Sequence, residues 1–192
     1  MNRKNIIIVI SLILITIQGT FAQTAEREFL DVGDTIKHYP KVEWIKGDPI
    51  EKLEEHKIYI IDLWATWCKP CIASMPHLNS LAAKFKGKGI VFIAQDVMED
   101  DRQKVLNFLK QNDTMMGFNV AFGGGKETDF ERNWIKPAGV SAIPQTFVIK
   151  NNVLLWQTSP DMITEEVLEH LIKGDFSIDK AKKAAAKTSG KP

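Results

Sequence analysis

Residues 58–71 read IYIIDLWATWCKPC and join a strongly apolar run to the only two cysteines of the chain. The first seven residues are aliphatic or aromatic apart from Asp62, a composition typical of a strand that is buried on both faces. From Ile72 onward, apolar residues recur at steps of three and four, which predicts an amphipathic helix from Lys69 to Phe85 that is kinked at Pro76. The two cysteines are therefore expected between a buried strand and the start of a helix.

The rest of the chain continues this alternation of strands and helices. A second buried strand and a second amphipathic helix follow, and residues 150–152 join two further strands as a terminal antiparallel hairpin. Strands that alternate with helices pair in parallel through right-handed crossovers. The predicted strands are 41–45, 58–64, 89–94, 118–122, 146–149 and 153–156, and the predicted helices after the first are 105–109, 130–135 and 165–172. The pattern predicts the α/β class, with a central mixed sheet flanked by helices.

Both ends of the chain differ in composition from this domain. Basic residues near Met1, an apolar segment at 6–17 and small residues before position 23 predict a secretory signal peptide over residues 1–22. An uncleaved anchor is the alternative, but a bilayer span needs about 20 apolar residues. We expect an exported, periplasmic or extracytoplasmic protein with one domain at 23–174 that begins with an N-terminal extension. Residues 175–192 are rich in lysine, and we expect a disordered tail.

Composition argues against several classes of partner. The chain is 44% hydrophobic and 26% charged, and its 25 basic and 24 acidic residues give a net charge of +1. Removal of residues 1–22 takes away Arg3 and Lys4, so that 23 basic residues face 24 acidic ones. Such a near-neutral balance favours neither nucleic acid nor a strongly charged ligand.

Two cysteines separated by two residues allow three interpretations. A structural disulfide would close so small a loop that it contributes only about 2 kcal/mol, against nearly 5 for a loop of roughly a hundred residues. A zinc site would need about four ligands, and the chain offers no second cysteine pair. Its histidines are His38, His56, His77 and His170, and of these only His77 is even loosely at ligand spacing. Redox chemistry is the interpretation we favour, with no metal and no cofactor.

Position at a helix start assigns a role to each cysteine. Cys68 should cap the helix, where unsatisfied N–H groups and the positive end of the helix dipole stabilise a thiolate, the nucleophilic form. Cys71 lies one turn into the helix and faces the interior, so it is the natural resolving thiol for a mixed disulfide. Pro70 fits the first helical turn, where its missing N–H costs nothing.

Three motifs together resemble the thioredoxin superfamily. They are WATWCKPC at 64–71, Pro76 five residues after the second cysteine, and GVSAIPQTF at 139–147. The predicted export signal and an insertion before the hairpin make the chain most similar to the TlpA/ResA-like extracytoplasmic branch. The resemblance covers residues 42–171 and implies a thioredoxin fold with dithiol exchange at the two cysteines.

The resemblance also implies how a substrate binds. Pro144 matches the proline that follows a cis peptide bond and faces the cysteines, where the neighbouring backbone pairs with the substrate chain. Trp67 and Ile143 would line the same groove. Lys69 and Pro70, between the cysteines, would tune the redox potential. Ile143 and Pro70 look like those of the reducing members, whereas Lys69 departs from the glycine often found at its position.

Two acidic residues are candidates through the same resemblance. Asp62 matches the buried acid of thioredoxins; burial in an apolar strand should raise its pKa, so that it could exchange a proton with Cys71. The alternative is a buried carboxylate bound only by backbone donors. Glu99 stands where ResA-like proteins carry a glutamate near the site, although a solvated loop glutamate is an equal alternative. Gln95 stands near the place of the lysine that usually accompanies the buried acid.

The function these features favour is reduction of protein disulfides in the cell envelope. Expected partners are protein thiols and disulfides and an upstream electron donor in the membrane or envelope. We expect a monomer that neither binds nucleic acid nor inserts in the membrane after signal cleavage. Alternatives are a disulfide oxidase or isomerase, a thiol peroxidase, and a non-catalytic binding module that kept the fold.

Overall fold

The computed structural model describes residues 30–36 and 38–188, so the predicted signal peptide lies outside the described residues. Among these residues there are six strands and four α-helices, with a short π-helical segment at Glu131–Ile135 and a 3-10 turn at Pro160–Met162. The strands are β1 (Glu43–Lys46), β2 (Ile58–Trp64), β3 (Ile90–Asp96), β4 (Asn119–Phe122), β5 (Gln145–Lys150) and β6 (Val153–Thr158). The helices are α1 (Lys69–Lys84), α2 (Arg102–Gln111), α3 (Glu165–Lys173) and α4 (Ile178–Thr188). No helix among these residues is both long and apolar enough to cross a bilayer.

The strands form one mixed sheet in the order β1-β4-β3-β2-β5-β6. β2 and β3 are parallel, as are β3 and β4, because helices cross over between them. The edge strand β1 and the hairpin β5–β6 pair antiparallel to their neighbours. β2 lies inside the sheet with all seven residues buried, which is why its sequence is almost continuously apolar. The predicted α/β class and mixed sheet are confirmed.

Alternation along β2 divides the core between the two faces of the sheet. Ile60 packs in a cluster with α1 and α3, and Trp64 packs in a cluster that contains both cysteines. Ile61 and Leu63 face the other side, where they pack with Trp134 of the π-helical segment. Because side chains alternate strictly along a strand, Asp62 must share the face of Ile60 and Trp64.

The C-terminal segment corrects one expectation. We expected disorder from residue 175 onward, but residues 178–188 form α4. Ser177 accepts a hydrogen bond from the backbone N–H of Lys180 at 3.3 Å, as a helix cap does. Ala181 and Ala184 are almost fully buried in the cluster that contains α3, since small side chains let two helices approach closely. The segment is rich in lysine, but its alanines also recur at helical spacing, so that they fall on one face of a helix.

Candidate active site

The two cysteines lie at the start of α1, the helix that follows β2 in the chain. Cys68 caps α1, and its Sγ accepts a hydrogen bond from the backbone N–H of Cys71 at 3.3 Å. Pro70 occupies the first turn of the helix. The cysteines form a disulfide with a Cα–Cα distance of 5.3 Å. Within the described part of the chain, no group of three His, Cys, Asp or Glu side chains could hold a metal ion.

Exposure differs along the turn. Cys71 is completely buried, whereas Cys68 retains 3% of its surface. The exposed residues around them are Trp67, Lys69 and Pro70, and the side chain of Trp67 is 52% exposed. Of these residues, Trp67 is therefore the large apolar one at the surface beside Cys68, while Cys71 lies wholly in the interior.

The loop before β5 approaches the same turn. The peptide bond between Ile143 and Pro144 is cis. Ile143 packs against the cluster that holds both cysteines, and Pro144 and Pro70 line one cleft of about 740 Å³. Residues from α4, among them Ala185, also line this cleft. The structure thus brings together residues of the two motifs that stand about seventy positions apart in the sequence.

Asp62 lies beneath the turn, on the α1 face of β2. Only 3% of its surface is exposed, and its Oδ1 accepts a hydrogen bond from the Thr146 hydroxyl at 2.7 Å. β5 pairs with β2 so that Thr146, two residues after Pro144, stands directly opposite Asp62. Burial raises the pKa of Asp62 to about 7, against a smaller lowering by the Thr146 hydrogen bond. The alternative of a carboxylate bound only by backbone donors does not describe this contact.

Glu99 is not the solvated loop glutamate that the sequence also allowed. It retains 6% of its surface, and its Oε2 accepts a hydrogen bond from the backbone N–H of Thr66 at 2.8 Å. Its Oε1 accepts the Thr66 hydroxyl and also binds Lys104 Nζ at 2.8 Å. Burial acts to raise the pKa of Glu99, but the hydrogen bonds from Lys104 and Thr66 outweigh it and leave the pKa below its ordinary value.

Comparison with known proteins agrees with this geometry. Residues 55–153 match the family model described as Thioredoxin-like. The chain belongs to the thioredoxin-like family. Thiol-disulfide oxidoreductase ResA from Bacillus cereus is 32% identical over 178 residues, which cover 89% of this chain and 97% of that protein. ResA from Bacillus thuringiensis subsp. konkukian is 34% identical, over 81% of this chain and 83% of its own.

A solved structure supports the same fold. The thiol-disulfide oxidoreductase from Bacteroides fragilis superimposes with a TM-score of 0.54 at 15% identity, over 74% of this chain and all of that one. The predicted enzyme class is confirmed by these relatives: the chain is a thiol-disulfide oxidoreductase of ResA type with a Cys-x-x-Cys pair. The thioredoxin fold and the resemblance inferred from the three motifs are confirmed as well.

Two residues beside the site differ from what the sequence suggested. Gln95 does not accompany Asp62, because it lies on the opposite face of the sheet and binds the Tyr39 hydroxyl at 2.7 Å. Asp96, which we did not single out, is fully buried at the end of β3, directly opposite Trp64 of β2. The signal that could have identified it is a carboxylate at the carboxyl end of a strand predicted to be buried.

Proposed function

We propose that this thioredoxin-like protein reduces disulfides in exported proteins, with Cys68 as the attacking sulfur and Cys71 as the resolving sulfur. The observation that carries the proposal is the position of Cys68, which caps α1, accepts the Cys71 N–H and lies in the cluster against which Ile143 packs. This environment favours the thiolate of Cys68 once the disulfide is reduced.

The exchange proceeds in two steps that conserve electrons. The Cys68 thiolate attacks one sulfur of the partner disulfide, which forms a mixed disulfide and releases the other partner sulfur as a thiolate. Cys71 then loses its proton and attacks Cys68 Sγ, which releases the second partner thiol. The partner gains two electrons, and the protein returns to the Cys68–Cys71 disulfide. A dithiol donor in the membrane or envelope must then reduce it again.

Asp62 is the proposed acceptor of the Cys71 proton. Cys71 Sγ lies 3.8 Å from the carbonyl oxygen of Leu63, the residue next to Asp62 on β2. A pKa of about 7 suits proton exchange near neutral pH, because the group can both accept and return a proton there. Thr146 orients the carboxyl group through its hydrogen bond.

The groove and the turn explain the remaining proposed roles. Trp67 and Ile143 would contact the partner chain on either side of Cys68, and the backbone beside Pro144 would pair with it. Lys69 and Pro70 would set the potential from within the Cys-x-x-Cys turn. The reductive direction is supported by the likeness of Ile143 and Pro70 to those of reducing members, and export is supported by the apolar segment near the start of the sequence.

Trapping of the mixed disulfide tests the function. A Cys71→Ala variant should remain joined through Cys68 to disulfide partners from the native envelope, whereas a Cys68→Ser variant should trap none. Disulfide reduction that survives Cys68→Ser would refute the proposal. The direction is tested by the redox potential, since a value near that of thioredoxin, about −270 mV, agrees with reduction and one near DsbA, about −120 mV, would assign oxidation instead.

A further inference from the structure

Two buried carboxyl groups beside the turn take no part in the exchange described above. Asp96 ends β3, and Glu99 follows three residues later in the loop to α2. This loop is anchored to the site, because the Val97 N–H donates to the carbonyl oxygen of Trp64 at 2.9 Å. Met98 adopts a left-handed conformation (φ 57°), which few residues other than glycine adopt unless their surroundings require it.

The loop is hydrogen-bonded to Thr66 and Trp67, the two residues directly before the attacking cysteine Cys68. Glu99 accepts two hydrogen bonds from Thr66, one from its backbone N–H and one from its hydroxyl, so that main chain and side chain are both bound. The next residue, Trp67, donates its indole N–H to the carbonyl oxygen of Met98 at 3.4 Å. Glu99 and Met98 therefore fix the position of the two residues that lead directly into Cys68.

Asp96 lacks the partners that a buried carboxylate requires. Among the described residues, no N–H or O–H group donates to either of its side-chain oxygens. Its charged neighbours are Glu99 and Lys104, and two carboxyl groups can form a hydrogen bond only when one of them keeps its proton. Since Glu99 already accepts from Thr66 and Lys104, Asp96 is the group that must donate.

We propose that Asp96 and Glu99 act as a positioning pair, in which protonated Asp96 donates to the Glu99 carboxylate and Glu99 holds Thr66 and Trp67 where Cys68 can meet a partner disulfide. The inference rests on the proposed exchange at Cys68. Neither residue touches the reacting sulfurs, and both act through the Thr66–Trp67 segment.

The electrostatics of the pair agree with one shared proton. Burial raises the pKa of Asp96 to about 9, and the nearby negative charge of Glu99 contributes, whereas hydrogen bonds lower the pKa of Glu99. From α2, Lys104 faces both carboxyl groups and lowers the pKa of each, and the Asp101 carboxylate faces Lys104. From β2, the uncharged indole of Trp64 stands opposite Asp96. The pair thus carries a single negative charge at neutral pH.

The pair should stop holding the Thr66–Trp67 segment in place when the pH becomes alkaline. As pH rises through about 9, Asp96 loses its proton, its hydrogen bond to Glu99 is lost, and two adjacent carboxylates repel each other. An Asp96→Asn variant keeps a permanent N–H donor of the same shape and cannot ionise. We expect it to lose less activity between pH 7 and pH 10 than the wild type does.

The experiment measures kcat/KM for reduction of insulin disulfides from pH 6 to pH 10, with circular dichroism at each pH to confirm that the protein is folded. Glu99→Gln removes the charge at nearly constant volume and should lower kcat/KM at pH 7 about tenfold, the size expected from weakened hydrogen bonds to a charged group. Asp100→Asn is the matched control, because it removes an exposed carboxylate from the same loop.

Two results would overturn the inference. One is an alkaline loss of activity in Asp96→Asn equal to that of the wild type, and the other is an unchanged kcat/KM in Glu99→Gln. Cys68→Ser separates this failure from that of the proposed function. If Cys68→Ser abolishes insulin reduction while both carboxyl variants behave as the wild type, the exchange stands and only the positioning pair is refuted.

Discussion

Replacing Asp62 with asparagine tests how an ionisable carboxyl group buried beneath the redox turn changes the free energy of unfolding. Asparagine has nearly the same shape and can still accept the Thr146 hydroxyl, which lies 2.7 Å from the native carboxyl oxygen. It cannot ionise at any pH. The difference in stability between the two proteins therefore reports the ionisation of Asp62, apart from an offset that does not depend on pH.

The magnitude follows from the pKa of Asp62, which burial raises from 3.8 to about 7. Below pH 3.8 the folded and unfolded chains both hold the proton. Between pH 4 and 7 the unfolded chain releases it while the folded chain keeps it, so the free energy of unfolding falls as pH rises. Each pKa unit corresponds to about 1.4 kcal/mol, so the wild type should lose about 4 kcal/mol over this window relative to Asp62→Asn.

The assay is urea unfolding of the oxidised proteins at pH 4, 5.5, 7 and 8, with linear extrapolation to water. All other titrating groups are common to both proteins, so their contributions cancel in the difference. Thr146→Val provides a second test, because loss of the hydroxyl removes an interaction that lowers the pKa of Asp62 and should extend the window above pH 7. A difference between wild type and Asp62→Asn that stays constant from pH 4 to 8 would refute the reasoning.

Two further predictions concern α4 and the rim of the site. Ala181→Leu should lower the free energy of unfolding by about 1–3 kcal/mol, because the alanine is buried and the larger side chain overpacks the cluster with α3; Lys183→Leu, on the exposed face, should change it by no more than about 0.5 kcal/mol. If Ala181→Leu and Lys183→Leu changed the free energy of unfolding by equal amounts in urea, α4 would not be packed into the core. Trp67→Ala should lower kcat/KM for insulin reduction about tenfold, as expected for an aromatic anchor at an interface, and should change reduction of a small aromatic disulfide less. Equal losses on the two substrates would mean that Trp67 supports the turn rather than contacting the partner.

Features that depend on neighbours in the chain could be predicted from the sequence. The apolar run of β2 and the three- and four-residue spacing in α1 each express one local period, and together they placed Cys68 at a helix start. Recognition of the family needed only the three sequence motifs at 64–71, Pro76 and 139–147. The tail was predicted wrongly because its composition was weighed without the spacing of Ala181 and Ala184, although the spacing was visible in the sequence.

Features that depend on pairing between distant segments were decided by the tertiary structure. Thr146 is 84 residues from Asp62 and reaches it because β5 pairs with β2 in a single register. Glu99 is 33 residues from Thr66, and its bonds form only because parallel pairing of β2 and β3 brings the ends of both strands together. The local periodicity of one segment cannot specify which residues of two distant strands pair. That register follows from how the whole sheet packs around its core. The sequence determined that the two cysteines form a Cys-x-x-Cys pair, and the fold decided which carboxyl groups stand beside them and how far burial raises the pKa of each.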